Sequence, residues 1–326
     1  MHKKTLERGF SVIEAVIVIA VIGVLGWIGY TVWASHNKDE DQNQSSQTDT
    51  ETWQAGGAAV PGAYADADVV QVDDNTWRMY YGQQPEHSGG SLNIYSSTST
   101  DGKTWTQDKG TRKSSAAFPE VIQLPDGRWR MYFQQAGSIK SAISSDGLTF
   151  TDEPGTRVDA TSTESPAVEN AAAPAIFRQK DGTYVLAYRA TISGSGRYSA
   201  NSPNPTTSLL LWATSEDGLT FTKKGIAIDP RNTTLDGQID GATFITWDDG
   251  KTRVYATSYG GVFKFPFDGS TFGSADLAFA GDAQKSATGY NGAPPGDPTL
   301  AKINGTWFMY YGGGPEDPGI HYATLE

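Results

Sequence analysis

Hydrophobic and polar positions divide the chain into three stretches. From Ala15 to Ser35 no residue is charged. As a helix these twenty-one residues would span roughly 31 Å, enough to cross the hydrocarbon core of a bilayer. The stretch from Lys38 to Thr50 is polar without apolar periodicity and reads as a flexible tether. From about residue 50 onward, short apolar or alternating runs are bounded by Asn-Gly and Asp-Gly pairs, the pattern of strands joined by tight turns. The expected architecture is an all-β domain preceded by a single N-terminal transmembrane α-helix.

Within the β region one phrase recurs five times. Asn75-Thr-Trp77-Arg-Met-Tyr80-Tyr81 returns as Asp126-Gly-Arg-Trp129-Arg-Met-Tyr132-Phe133 and as Asp181-Gly-Thr-Tyr184-Val-Leu-Ala-Tyr188. It recurs as Asp249-Gly-Lys-Thr-Arg253-Val-Tyr255 and as Asn304-Gly-Thr-Trp307-Phe-Met-Tyr310-Tyr311. Anchors at 77, 129, 184, 253 and 307 lie 52, 55, 69 and 54 residues apart, a period that suits a four-stranded propeller blade. A second motif follows in Ser99-Thr-Asp101-Gly-Lys-Thr-Trp105, Ser144-Ser-Asp146-Gly-Leu-Thr-Phe150 and Ser215-Glu-Asp217-Gly-Leu-Thr-Phe221, with a weaker copy at Asp268-Gly-Ser-Thr-Phe272. Asp-Gly should close a turn there and the aromatic should fill space between blades. The fifth repeat lacks this last piece, but Asp49-Thr-Glu-Thr52-Trp53 has its spacing. A strand near 50–56 is therefore expected to complete the last blade and close a five-bladed β-propeller over residues 50–326.

Composition narrows the chemistry. The 326 residues carry 25 Lys+Arg against 37 Asp+Glu, a net charge of −12, which argues against binding nucleic-acid phosphates. The chain has no cysteine, which excludes a disulfide framework, a thiolate zinc site and a Cys nucleophile. Its four histidines are scattered, so an all-His metal site is not expected. Its 37 glycines and 11% aromatics suit blade turns and inter-blade packing.

The charge around the apolar run gives it direction. Lys3, Lys4 and Arg8 precede it while Asp39, Glu40 and Asp41 follow, so the N-terminus should stay cytoplasmic and the β domain should face outward. The string Arg8-Gly9-Phe10-Ser11-Val12-Ile13-Glu14 resembles the class III leader of type IV prepilins and pseudopilins. That resemblance implies a leader over 1–9, cut after Gly9 by a prepilin peptidase that methylates Phe10, and a retained membrane helix over 10–35. It also implies that Glu14, costly inside an apolar helix, pairs with the N-terminal amine of a neighbouring pilin subunit. Loss of the leader would move the net charge to −14, since it carries three cations and one carboxylate. Pilins usually extend their first helix past the membrane, whereas here a polar linker over 36–49 intervenes. A minor, tip or pseudopilin-like subunit, or a simple anchored ectodomain, fits better than a filament shaft.

The propeller region resembles the five-bladed glycoside hydrolases, above all the arabinanase/xylosidase-type family 43, with levansucrase/invertase-type enzymes as relatives. The resemblance implies three carboxylates on innermost strands at one end of the axis. Asp66, in Ala65-Asp66-Ala67-Asp68-Val69, stands where that family has its base, with Ala67 replacing Pro. Glu120, in Phe118-Pro119-Glu120-Val121, stands for the Asp that tunes a pKa. The position of the acid falls on Ala172, which cannot donate a proton; Glu169 is the nearest substitute and Glu164 a poorer one. Asp240 and Asp297 occupy the equivalent positions in blades four and five. With Asp66, Asp68 and Glu120 they form a ring able to bind sugar hydroxyls or an axial cation such as Ca²⁺. Tyr64, Phe118 and Tyr290 are candidates to stack on a sugar face. Arg189 would pair with the ring or hold an anionic substrate, and His87 and the loop over 193–205 would shape the site's edge. Ser-x-Asp-Gly turns also occur in sialidases, but those have six blades and an arginine triad not found here. Two readings follow: a membrane- or pilus-anchored surface protein that recognises carbohydrate, and an anchored family-43-type glycoside hydrolase.

Overall fold

The computed structural model describes residues 51–84, 92–160, 166–193, 208–231, 233–235, 238–258, 260–280, 296–313 and 317–325. The leader, membrane-helix and linker expectations over 1–50, including Gly9, Phe10 and Glu14, lie outside them. So do His87, Glu164, residues 194–205 and Tyr290. Among the described residues no helix is long and apolar enough to cross a membrane.

The described residues form five antiparallel sheets, each built outward from an innermost strand. These innermost strands are Tyr64–Asp73, Ala117–Gln123, Ala172–Arg178, Asp240–Thr246 and Gly296–Ile303. Each packs against the next, and the fifth packs against the first, so the ring closes. The second strands are Thr76–Gln83, Trp129–Gln135, Tyr184–Thr191, Thr252–Ser258 and Thr306–Gly312. The outer edge of blade five is Trp53–Pro61, paired antiparallel with the C-terminal strand Gly319–Leu325. We call the end where innermost strands begin the upper face and the end carrying the Asn-Gly and Asp-Gly turns the lower face.

Register identifies the repeat. Tyr80, Tyr132, Ala187, Tyr255 and Tyr310 sit opposite Asp68, Glu120, Ala175, Thr243 and Thr299 of the five innermost strands. Counting three residues back from each, the anchor of blade four is Thr252, not the Arg253 expected from sequence. A threonine in place of the usual aromatic hid the one-residue offset.

The Asp-Gly motifs are turns. Asp101, Asp146 and Asp217 each accept two backbone N–H groups from the following residues at 2.7–2.8 Å, and the preceding serine hydroxyl accepts the Gly N–H at 2.9 Å. The Gly carbonyl then receives a phenol from the neighbouring blade: Tyr310 to Gly102, Tyr80 to Gly147 and Tyr132 to Gly218, at 2.7–2.8 Å. The aromatics Trp105, Phe150 and Phe221 meet those same tyrosines edge-on at 5.5, 5.9 and 6.1 Å. Blade five has no such turn after its third strand. Its place at the seam with blade four is taken by Glu51, whose carboxylate accepts Tyr255 Oη at 3.0 Å, Lys264 Nζ at 2.7 Å and Trp53 Nε1 at 3.2 Å.

Candidate functional site

Each innermost strand breaks register near its upper end, and there one residue takes a left-handed backbone: Asp66 (φ 56°), Phe118 (51°), Ala173 (42°), Gly241 (36°) and Asp297 (44°). Four of the five are not glycine, so strain is held at equivalent points around the axis, where a bulge re-aims side chains. This corrects the placement of Asp240, which lies one residue before the equivalent position; Gly241 occupies it.

Asp66, Asp240, Asp297 and Arg189 nevertheless converge. The Asp297 carboxyl is hydrogen-bonded to that of Asp66 and lies against Gly241, where a methyl group would overlap Oδ1. Burial, then the charges of Asp66 and Asp240, push its pKa well above the carboxylate range, with Arg189 opposing. Arg189 Nε stands 3.0 Å from Asp240 Oδ1, which also accepts the Gly241 N–H at 2.9 Å. The set therefore presents an ion pair beside two carboxyls that share a proton.

Asp68 and Glu120 form a second, deeper set. Asp68 Oδ2 accepts Val121 N–H of blade two at 2.7 Å, and Glu120 Oε1 accepts Ile176 N–H of blade three at 3.3 Å. Both are buried. Burial raises Asp68 to about 7, against the N–H groups of Val121 and Val69 that lower it. Burial and then the Asp68 charge raise Glu120 well above its ordinary value. As neighbours, the two titrate as a pair.

The remaining candidates do not join them. Ala172 is buried opposite Arg189, and neither it nor Ala173 carries a carboxyl. Glu169 is exposed, with its backbone N–H on Thr191 O at 2.9 Å, and is not part of the axial cavity wall. Tyr64 is held edge-on by Tyr81 and Tyr95 at 5.0 and 5.9 Å, a packing role. Phe118 borders the cavity with Asp66, Glu120 and Asp297. That cavity measures about 20 Å³, room for about one water and not for a sugar ring. Among the described residues no three His, Cys, Asp or Glu are grouped to hold a metal. Asp240 is paired with Arg189, Asp66 with Asp297, and Asp68 and Glu120 with N–H groups of the next blade, while Asp297 Oδ1 is buried without a hydrogen-bond partner.

Two features carry no local signature in the sequence. Glu51 belongs, by its sequence, only to a strand, because its partners Tyr255 and Lys264 are more than 200 residues away. The inter-blade bonds of Asp68 and Glu120 have no local signature either, since their partners lie on the next blade.

No protein-family model matches the chain, and no curated protein does. Solved structures do match. One is a thermostable family-43 glycoside hydrolase, at TM-score 0.60 and 16% identity, covering 83% of this chain and 92% of that one. Another is an α-L-arabinofuranosidase from Clostridium thermocellum, at TM-score 0.55 and 16% identity, covering 76% and 82%. A third is the β-xylosidase/α-arabinofuranosidase CoXyl43 from a compost microbial metagenome, in complex with xylotriose, at TM-score 0.56 and 15% identity, covering 83% and 95%. At these identities the likeness is one of fold: the chain shares the five-bladed β-propeller seen in family-43 glycoside hydrolases.

Proposed function

We propose that the propeller recognises carbohydrate at its upper face, and that residues 10–35 anchor it in the cell membrane with the propeller outside, following a leader over 1–9. One observation carries the recognition reading. Asp66, Asp240, Asp297 and Arg189 gather at the axis, while blade three offers Ala172 and Ala173 where the hydrolases' acid would stand. Such a set supplies donors and acceptors for sugar hydroxyls without an evident proton donor on blade three. Cleavage by inversion needs an acid and a base about 6.5–9.5 Å apart, with substrate and water between them.

Hydrolysis is the second reading, favoured by the buried Glu120 carboxyl, which borders the axial cavity and whose pKa is raised well above its ordinary value by burial. Xylosyl and arabinosyl oligosaccharides are the first probes, because structural neighbours act on them; fructosyl and mannosyl ones complete the panel. The full-length protein in detergent micelles is expected to bind one class saturably without cleaving it, and Asp66→Asn is expected to weaken that binding at least about tenfold. Turnover abolished by Asp66→Asn would replace recognition with hydrolysis. For the anchor, mass spectrometry of membrane-extracted protein is expected to show an N-methylated Phe10 terminus. An intact Met1 terminus would exclude prepilin-type processing.

A further inference from the structure

Four of the five inter-blade seams are filled from the second strand of one blade, three of them by a pair of side chains two residues apart. Blade one uses Arg78 and Tyr80, blade two Arg130 and Tyr132, and blade five Phe308 and Tyr310, while in blade four Tyr255 alone crosses, to Glu51, and Arg253 pairs with Asp249 of its own blade. Arg130 Nη1, for example, reaches Asp217 O at 3.1 Å while Tyr132 reaches Gly218 O. Blade three has Val185 and Ala187 at these positions, and neither reaches the facing turn. The carbonyl of Gly269 there receives Gln179 Nε2 instead, at 3.3 Å. What remains between blades three and four on the lower face is a groove of about 990 Å³, at the upper end of the range for small-ligand sites.

Its charge is opposite to that of the chain. Arg178, Lys180 and Lys251 line the groove and are exposed, and among the described residues none is in an ion pair. Arg178 lies over the Tyr184 ring at 5.8 Å. The carboxylates of the lining are engaged in their own turns. Asp181 accepts Thr183 N–H at 2.9 Å, and Asp268 accepts the N–H groups of Ser270 and Thr271 at 2.9 and 2.8 Å and both their hydroxyls. Beside the cations lies Phe177, partly exposed and stacked on Phe244 at 5.6 Å with the rings 19° apart. A cationic rim beside an aromatic surface suits a ligand that carries both carboxylates and apolar ring faces.

We infer that this groove is a second carbohydrate site, selective for carboxylate-bearing oligosaccharides, on the face opposite the axial site. The inference rests on the carbohydrate reading above but uses none of the axial residues. Trigalacturonate titrated into the full-length protein in detergent micelles, followed by calorimetry, tests it. Saturable binding is expected that weakens at least about tenfold in the double variant Lys180→Glu, Lys251→Glu. A loss of similar direction is expected on raising salt to about 0.5 M. Both lysines are exposed, and near-ultraviolet circular dichroism of the double variant confirms that its fold is kept. No binding by the unaltered protein, or binding that survives the charge reversal, overturns the proposal. Hexaglutamate binding as tightly and responding identically to the reversal overturns the carbohydrate assignment. Xylotriose titrated separately reports on the axial site, so failure there is distinguishable from failure here.

Discussion

At the scale of single residues, buried carboxyls set the response to pH. Asp68 titrates near 7 in the fold against 3.8 in an ordinary setting, chiefly through burial. Between those values the folded protein holds a proton that the unfolded chain has released, so stability falls as pH rises from about 4 to about 7. Glu120, raised by burial and by Asp68, extends the decline upward. The urea midpoint is expected to be higher at pH 5 than at pH 8, with part of the difference removed by Asp68→Asn and the rest carried by Glu120 and Asp297; a midpoint that rises over this range would contradict the assignment. The turn aspartates act in another window. Backbone N–H groups hold Asp146 and Asp217 near 2, so what they contribute is present above about pH 4 and is lost as pH falls through 2. The phenol bridges are testable one at a time. Tyr132→Phe leaves the Gly218 carbonyl without its phenol and is expected to cost about 1 kcal/mol in urea unfolding. Gly218→Ala should cost more, since φ is +70° and the new methyl would stand 2.6 Å from Arg130 Nη1.

At the scale of elements, the strand Trp53–Pro61 is held to blade five by its ladder with Gly319–Leu325 and to blade four by Glu51. Burial and then the Glu51 charge raise the Tyr255 phenol well above its usual range, so that phenol stays a donor to the carboxylate. Glu51→Ala leaves Tyr255 and Lys264 without this acceptor and is expected to cost about 2 kcal/mol, read as a lower urea midpoint. Glu51→Gln, which keeps an acceptor, should recover part of the loss. The strands and turns themselves were largely legible, because an Asp-Gly turn and alternating apolar residues are local signals. The offset at Thr252 was not, since only the pairing of Thr243 with Tyr255 reveals it.

At the scale of the whole molecule, a ring whose blades bury their faces on one another is stable only when closed. Deleting residues 51–61 exposes the third strand of blade five and removes Trp53 and Val60 from the core, so loss of near-ultraviolet circular dichroism at room temperature is expected. A deletion variant with an unchanged spectrum would show that the closing strand is dispensable. Closure also explains the two faces. Polar residues at the start of the innermost strands are gathered at the axis, while the lower face is made of turns, and the seam between blades three and four lacks the tyrosine that fills the others.

The sequence by itself determined the number of blades, the turn chemistry and the position of the closing strand, because the strand phrase recurs five times, the turn motif recurs within it, and the piece missing from the last repeat stands at the start of the domain. It also nominated Asp66, Asp240, Asp297 and Arg189, since residue type and strand position are one-dimensional properties. Only the tertiary structure decided which of these meet. The left-handed residues turn Asp66 and Asp297 toward one another, Asp68 and Glu120 are spent on the backbone of the following blade, and Glu169 stands outside the cavity wall. The physical reason is that burial, hydrogen bonding and proton affinity depend on neighbours brought from other blades, some 50 to 230 residues away along the chain.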